Sequence, residues 1–162
     1  MPKPRFVADS MLGTLARWLR LLGYDTLYAR DWPDGRILEE GEREGRIIVT
    51  RDRGLYRRAL RRGAKAVLVS DDLPRALAKL SVAVGVKLEA NPDDSRCPLC
   101  NSPLRRASRS EVRGRVPPEV LEAYSEFWLC SGCGQVYWRG SHWRTIERTL
   151  AQARRLADEM RR

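Results

Sequence analysis

Three apolar runs in the first half of the chain each lead into an aspartate and then into a helix-forming stretch. They are Phe6-Val7-Ala8 before Asp9, Ile47-Ile48-Val49-Thr50 before Asp52, and Ala64 to Val69 before Asp71 and Asp72. A strand that is apolar at consecutive positions, not alternate ones, has to be covered on both faces. Between the runs the apolar spacing turns helical. Leu12, Leu15, Ala16, Leu19 and Leu22 form one stripe over residues 10–22, with Ser10 as the expected cap and Gly23 as the stop. Tyr24 to Tyr28 reads as a further strand. A polar helix is expected from near Asp34 to Glu44, another over residues 54–62, and a third marked by Leu73, Leu77, Leu80 and Val84. This alternation predicts an α/β fold, a parallel sheet sandwiched by helices.

In a parallel sheet every strand ends on the same edge, and that edge is where such folds bind ligands. Asp9, Asp52 and Asp71 are therefore expected to converge, with Asp34 opening the next helix on the same edge and Asp31 as its local competitor. Carboxylates brought together repel one another, and a hard divalent cation such as Mg²⁺ or Mn²⁺ relieves that. The competing reading is that each aspartate merely caps the helix after it. Ser10, Ser70 and Asp72 are independent capping candidates, which leaves Asp9 and Asp71 free for another role.

Gly85 to Ser95 is turn-rich and marks the expected boundary between residues 1–90 and a second unit, 91–162. There the pairs Cys97/Cys100 and Cys130/Cys133 repeat a C-x₂-C spacing, which reads as a structural four-thiolate zinc site. Asn101 and Gly134, one after each pair, tolerate the left-handed backbone that such knuckles need. Phe127-Trp128-Leu129 and Gln135-Val136-Tyr137-Trp138 read as a hairpin around the second pair, and Pro117-Pro118 opens a short helix. Trp143, Ile146, Leu150, Ala153, Ala157 and Met160 mark a C-terminal helix whose stripe either docks on the body of the protein or serves a dimer contact, so a monomer or weak homodimer is expected. Trp128, Tyr137, Trp138 and Trp143 read as ribbon core, with stacking on RNA bases as the alternative. His142 reads as helix-start packing, with an RNA contact as its alternative.

The formal net charge is +10, and both halves are basic, which points to a polyanion partner. No apolar run is long enough for a membrane span, and the first residues lack the apolar core of a signal peptide, so a cytoplasmic protein without membrane attachment is expected. Arg53, Arg57, Arg58, Arg61 and Arg62 form a strip directly after Asp52, and Arg17, Arg20 and Arg51 extend it. A solvated face neutralised from elsewhere is the competing reading. A bound phosphate backbone is the sharper one.

The stretch Phe6-Val7-Ala8-Asp9-Ser10-Met11-Leu12-Gly13-Thr14-Leu15-Ala16-Arg17-Trp18-Leu19-Arg20 is followed in order by Thr50-Arg51-Asp52, Cys97-Pro98-Leu99-Cys100 and Tyr137-Trp138-Arg139-Gly140-Ser141-His142-Trp143. In these motifs the chain resembles the Mut-seven C-terminal RNase domain family, PIN-like nucleases with a C-terminal zinc ribbon. The resemblance implies a PIN-like sheet, then a small zinc-ribbon module and a C-terminal helix. It also implies a Mg²⁺- or Mn²⁺-dependent ribonuclease, with the acidic site falling on Asp9, Asp52 and Asp71 and a fourth position at Asp34. Gly41 stands where the resemblance implies alanine. The resulting expectation is hydrolysis of RNA phosphodiester bonds without a small-molecule cofactor, with phosphates held by Arg17, Arg20, Arg51, Arg53, Arg57, Arg58 and His142. A non-catalytic RNA-binding accessory protein of tRNA or the ribosome is the alternative, and a protein-interaction scaffold is the third reading.

Overall fold

In the computed structural model, which describes residues 2–162, four strands run parallel: β1 (Phe6–Asp9), β2 (Thr26–Ala29), β3 (Ile47–Thr50) and β4 (Ala66–Leu68). Their order is β2-β1-β3-β4. The register sets Asp9 beside Ala29, Ala8 beside Val49, and Thr50 beside Leu68. The chain leaves β1 toward β2, then crosses back over to β3 and β4. The direction of the crossovers therefore reverses between β1 and β3, which opens a crevice at the C-terminal ends of those two strands.

Helices α1 (Gly13–Leu21) and α4 (Leu73–Val84) cover one face, and α2 (Asp34–Glu44) and α3 (Arg53–Arg61) cover the other. Phe6 and Ala8 of β1 point into the first layer with Leu15, Leu19, Leu77 and Leu80, while Val7 points into the second with Ile37, Ile48 and Leu55. Both faces are covered, as the consecutive apolar strands require. Each buried Leu, Ile or Phe contributes roughly 1.5–3 kcal/mol to holding the layers together. Gly41 is buried where α2 crosses β3, and a Cβ there would meet Ile48 Cδ1 at 2.8 Å. The glycine lets the helix lie this close to the strand, which accounts for the missing alanine.

The second sheet is antiparallel, in the order β5 (Leu104–Ala107), β6 (Phe127–Cys130), β7 (Val136–Tyr137). Its core is small: Val112, Val116, Phe127 and Val136, closed by α5 (Arg109–Val112) and α6 (Pro118–Ala123). Strand β5 lies in a polar, Arg-rich stretch. It forms because Leu104 and Ala107 turn partly inward while Arg105 and Arg106 stay in solvent, paired with Glu111 at 2.8 Å and with Asp93 at 2.8 Å.

The last helix, α7 (Trp143–Arg161), packs back onto the first unit. Leu150, Ala153 and Ala157 are buried against α4 and belong to the same core as Phe6 and Leu77. The stripe thus docks on the body of its own chain. Among the described residues no helix is long and apolar enough to cross a membrane.

Polar contacts join the ribbon to the sheet. Arg20 Nε donates to the Thr26 carbonyl at 2.9 Å and its Nη1 to the Pro98 carbonyl at 2.7 Å. Asn101 accepts from the Thr26 amide at 3.1 Å and donates to Asp25 at 2.7 Å, while the buried Arg46 grips the same Asp25 carboxylate at 3.0 and 3.2 Å. The half-buried Arg20 guanidinium, expected to face a phosphate, is held by the Thr26 and Pro98 carbonyls and ties the parallel sheet to the ribbon. Burial alone would raise the Asp25 carboxyl, but the hydrogen bonds from Arg46 and Asn101 hold it below its ordinary value. A carboxyl depressed in the folded state stabilises fully above the unfolded value of about 3.9, and that stabilisation declines below it and is lost as pH falls through the lower folded value. Denaturant unfolding should therefore find Asp25→Asn weaker than the parent by about 1–2 kcal/mol at pH 7, with the gap narrowing as pH falls below about 4. A gap independent of pH would contradict this role.

Candidate active site

Asp9 ends β1 half-buried. Its Oδ1 accepts from the Ser10 amide at 2.7 Å, so Asp9 itself caps the short 3₁₀ turn Ser10–Leu12 ahead of α1, in place of the expected Ser10. Its Oδ2 accepts from the Thr50 hydroxyl at 2.8 Å. Thr50 is wholly buried at the end of β3, and its hydroxyl oxygen also accepts from the Asp52 amide at 3.0 Å. One hydroxyl therefore ties the β1 carboxylate to the loop carrying Asp52, across the crevice where the crossovers reverse. Asp52 Oδ1 caps α3, accepting from the Gly54 and Leu55 amides at 2.7 and 3.2 Å, and Oδ2 lies outside that cap. The capping reading is thus correct for Asp52 and leaves one of its oxygens unspent. Thr50 is the site residue that residue-type reasoning passed over; its place in the Thr-Arg-Asp triplet was the available signal.

The four aspartates divide by partner. Among the described residues neither Asp9 nor Asp52 has a lysine or arginine nitrogen within 4.0 Å. Asp71 faces Arg51 at 3.7 Å, and Asp34 pairs with Arg58. Asp31 sits exposed in a left-handed turn beside Arg30. Strand β4 is two strands from β1, and Asp71, beyond its end, lines a cavity with Arg51 and with Met11, Leu12 and Thr14 of the segment after Asp9. Among the described residues, only the cysteines bring three or more candidate metal ligands within 4.8 Å of one another. The aspartates share an edge without closing into a cage.

The arginines of α3 form two rows. Arg58 and Arg62 turn to α2, where Asp34 and Glu42 neutralise them. Arg53, Arg57 and Arg61, spaced four apart, are exposed, and among the described residues none has a carboxylate within 4.0 Å. Arg17 and His142 are exposed as well, His142 standing at the start of α7 without capping it.

The sulfurs of Cys97, Cys100, Cys130 and Cys133 lie within 4.8 Å of one another, with Cys97–Cys133 at 3.8 Å and Cys100–Cys130 at 3.3 Å. Four thiolates at about 2.3 Å from one zinc ion would have tetrahedral edges of about 3.8 Å, so the quartet fits a metal ion such as zinc. Both knuckle positions adopt left-handed backbone as expected, Asn101 at φ 73° and Gly134 at φ 80°. The Gly132 and Cys133 amides donate to Cys130 Sγ at 3.3 Å each, and the Tyr137 hydroxyl lies 3.0 Å from Cys97 Sγ. Hydrogen bonds from the Ser102 hydroxyl and amide hold the Cys100 thiol down to about 6. At Cys133 the Gln135 amide favours the thiolate, but burial and the neighbouring sulfurs outweigh it and push the thiol up to about 12. Without a cation the four sulfurs cannot all ionise together; a divalent ion removes the conflict.

A family model, the Mut7-C RNAse domain, matches residues 4–150. Nothing matches among curated proteins or among solved structures.

Proposed function

The chain belongs to the Mut7-C RNAse domain family, and from that premise we propose that it hydrolyses RNA phosphodiester bonds at the C-terminal edge of its parallel sheet. Asp9 and Asp52 are the residues that hold a hard divalent cation, with Asp71 and Asp34 assisting. The observation that carries this reading is the Thr50 hydroxyl, which fixes Asp9 and the Asp52 loop on either side of the crevice while neither carboxylate has a lysine or arginine partner among the described residues. Two carboxylates suit Mg²⁺ or Mn²⁺, because these ions keep waters and fill their remaining positions with substrate phosphate oxygens. When bound, the ion supplies Lewis-acid polarisation of the phosphate and of the attacking water.

The protein's own part is positioning. Thr50 locks the Asp9 carboxylate, and the α3 cap fixes the rotation of Asp52, so both oxygens are held before substrate arrives. Arg53, Arg57 and Arg61 lie along the helix that starts at Asp52 and supply a row of charges for a phosphate backbone. Arg51 and Arg58, paired with Asp71 and Asp34, can exchange those partners for phosphate oxygens. The cysteine quartet takes a structural zinc ion, since four sulfurs leave no open position.

The pairing of Asp34 and Asp71 with arginines favours one second reading, a face that binds RNA without cutting it. Labelled single-stranded RNA incubated with the protein and Mn²⁺ separates the two. Cleavage that EDTA stops and added Mn²⁺ restores is expected. Binding that weakens with salt, with no cleavage in any metal, would establish the second reading instead. Arg57→Gln is expected to weaken binding of all sequences alike and to reduce the salt slope by about one.

A further inference from the structure

A cavity of about 240 Å³ opens where α1 meets the ribbon and the start of α7. Four of the chain's five tryptophans line it: Trp18, Trp128, Trp138 and Trp143. Trp128 is fully buried, but Trp18, Trp138 and Trp143 are only half-buried, although tryptophan is the residue with most to gain from full burial. The ribbon does not need all of them, since its own core is Val112, Val116, Phe127 and Val136 with Trp138 at the margin. Trp143 belongs to none of the hydrophobic clusters formed by the described residues; the Arg139 guanidinium lies over its ring, 5.5 Å from the centroid.

The mouth of the cavity is cationic. Arg17 and His142 are exposed there, and Arg96 anchors its guanidinium on the Asn101 carbonyl at 2.7 Å. An apolar, aromatic interior with positive charge at the lip suits a planar ring carried on an anionic chain. The size suits one ring system, being below the roughly 300–1,000 Å³ of sites that take drug-sized ligands. Gly140 shapes the lip. A Cβ there would lie 3.1 Å from Trp138 Nε1 and 3.6 Å from His142 Cε1, so the bare backbone packs on the indole and sets His142 and Trp143 beside it. This gives the Gly-Ser-His-Trp segment a physical task.

We propose that this cavity is a nucleobase subsite, taking one unstacked base of single-stranded RNA between Trp18, Trp138 and Trp143 while Arg17, Arg96 and His142 hold the adjoining phosphates. It rests on the reading of the protein as an RNA nuclease and adds where the strand is gripped. Arg17 stands about 6 Å along α1 from its first residue, Gly13, and only the 3₁₀ turn Ser10–Leu12 separates α1 from Asp9, so a strand of a few nucleotides spans both places. Stacking tolerates every base, so the subsite grips a single strand without reading its sequence. A duplex cannot supply the unstacked base.

The test uses the full chain carrying Asp9→Asn, so that RNA is bound but not cut, and two fluorescent single-stranded oligonucleotides of one length, one intact and one abasic at every position, so that a shift of register cannot bring another base into the cavity. The abasic strand is expected to bind about tenfold or more weakly. Trp143→Ala is expected to lower affinity for intact RNA by a similar factor and to have little further effect on the abasic strand, while Trp143→Phe recovers most of the binding. If the abasic strand binds like the intact one, the subsite is overturned while the RNA reading stands, and that arm needs no pocket variant to fold. If intact RNA does not bind at all, both fall.

Discussion

Asp9→Asn is expected to lower RNA cleavage by about 1,000-fold or more while leaving the fold in place. The activity loss follows from charge. A bound ion contributes several kcal/mol of transition-state stabilisation, and each 1.36 kcal/mol is a factor of ten in rate. Converting one of the two carboxylates that lack a lysine or arginine partner among the described residues to a neutral amide removes most of the reason for the ion to sit there. The fold survives because an asparagine at position 9 can still accept from the Ser10 amide, and its NH₂ can donate to the Thr50 hydroxyl oxygen. Asp52→Asn should behave alike, since asparagine caps a helix as well as aspartate does. Asp34→Asn should cost much less, because Arg58 already compensates that charge. Initial rates under saturating Mn²⁺, together with thermal unfolding of each variant, check the order. Asp34 outranking Asp9 would place the ion elsewhere.

Removal of metal from the cysteine quartet is expected to unfold the ribbon sheet β5-β6-β7 while the parallel sheet persists. Structural zinc contributes on the order of 10–16 kcal/mol near neutral pH, as much as the whole stability of a typical domain. The ribbon's own core of four buried side chains cannot replace that. Zinc affinity should fall as pH drops toward 6, where protons begin to compete even for Cys100, the thiol held down to about 6 by Ser102. The expected measurements are one zinc per chain, chelator-induced loss of tryptophan signal from Trp138 and Trp143, and retained α/β circular dichroism. Cys97→Ser should reproduce the chelated state, because this sulfur is fully buried beside Tyr137. A ribbon that stays folded at sub-stoichiometric zinc would contradict the assignment.

What the sequence made legible was whatever local pattern encodes. Consecutive apolar residues in three runs specified buried parallel strands, and their shared direction put Asp9, Asp52 and Asp71 on one edge. The C-x₂-C spacing, with Asn101 and Gly134 behind it, specified the knuckles down to their left-handed backbone. What stayed hidden depends on partners far away in the chain. Arg20 and Arg46 look like any other arginine until the carbonyls of Thr26, Pro98 and Phe6 close around them. Thr50 gains its role only because β3 lies next to β1, and no periodicity announces the order β2-β1-β3-β4. The division of the acids was equally hidden, because Arg51 and Arg58 reach Asp71 and Asp34 from other elements. Strand β5 was masked by Arg105 and Arg106, whose side chains belong to solvent even though their backbone belongs to the sheet.

A hard cation shared across the β1–β3 crevice is the claim on which the nuclease account stands, and manganese makes it directly visible. Crystals of the full chain grown with Mn²⁺ and a non-hydrolysable RNA analogue should give an anomalous peak within about 2.5 Å of carboxylate oxygens from both Asp9 and Asp52. A crevice with bound RNA and no such peak, or manganese held only by other residues, would contradict it.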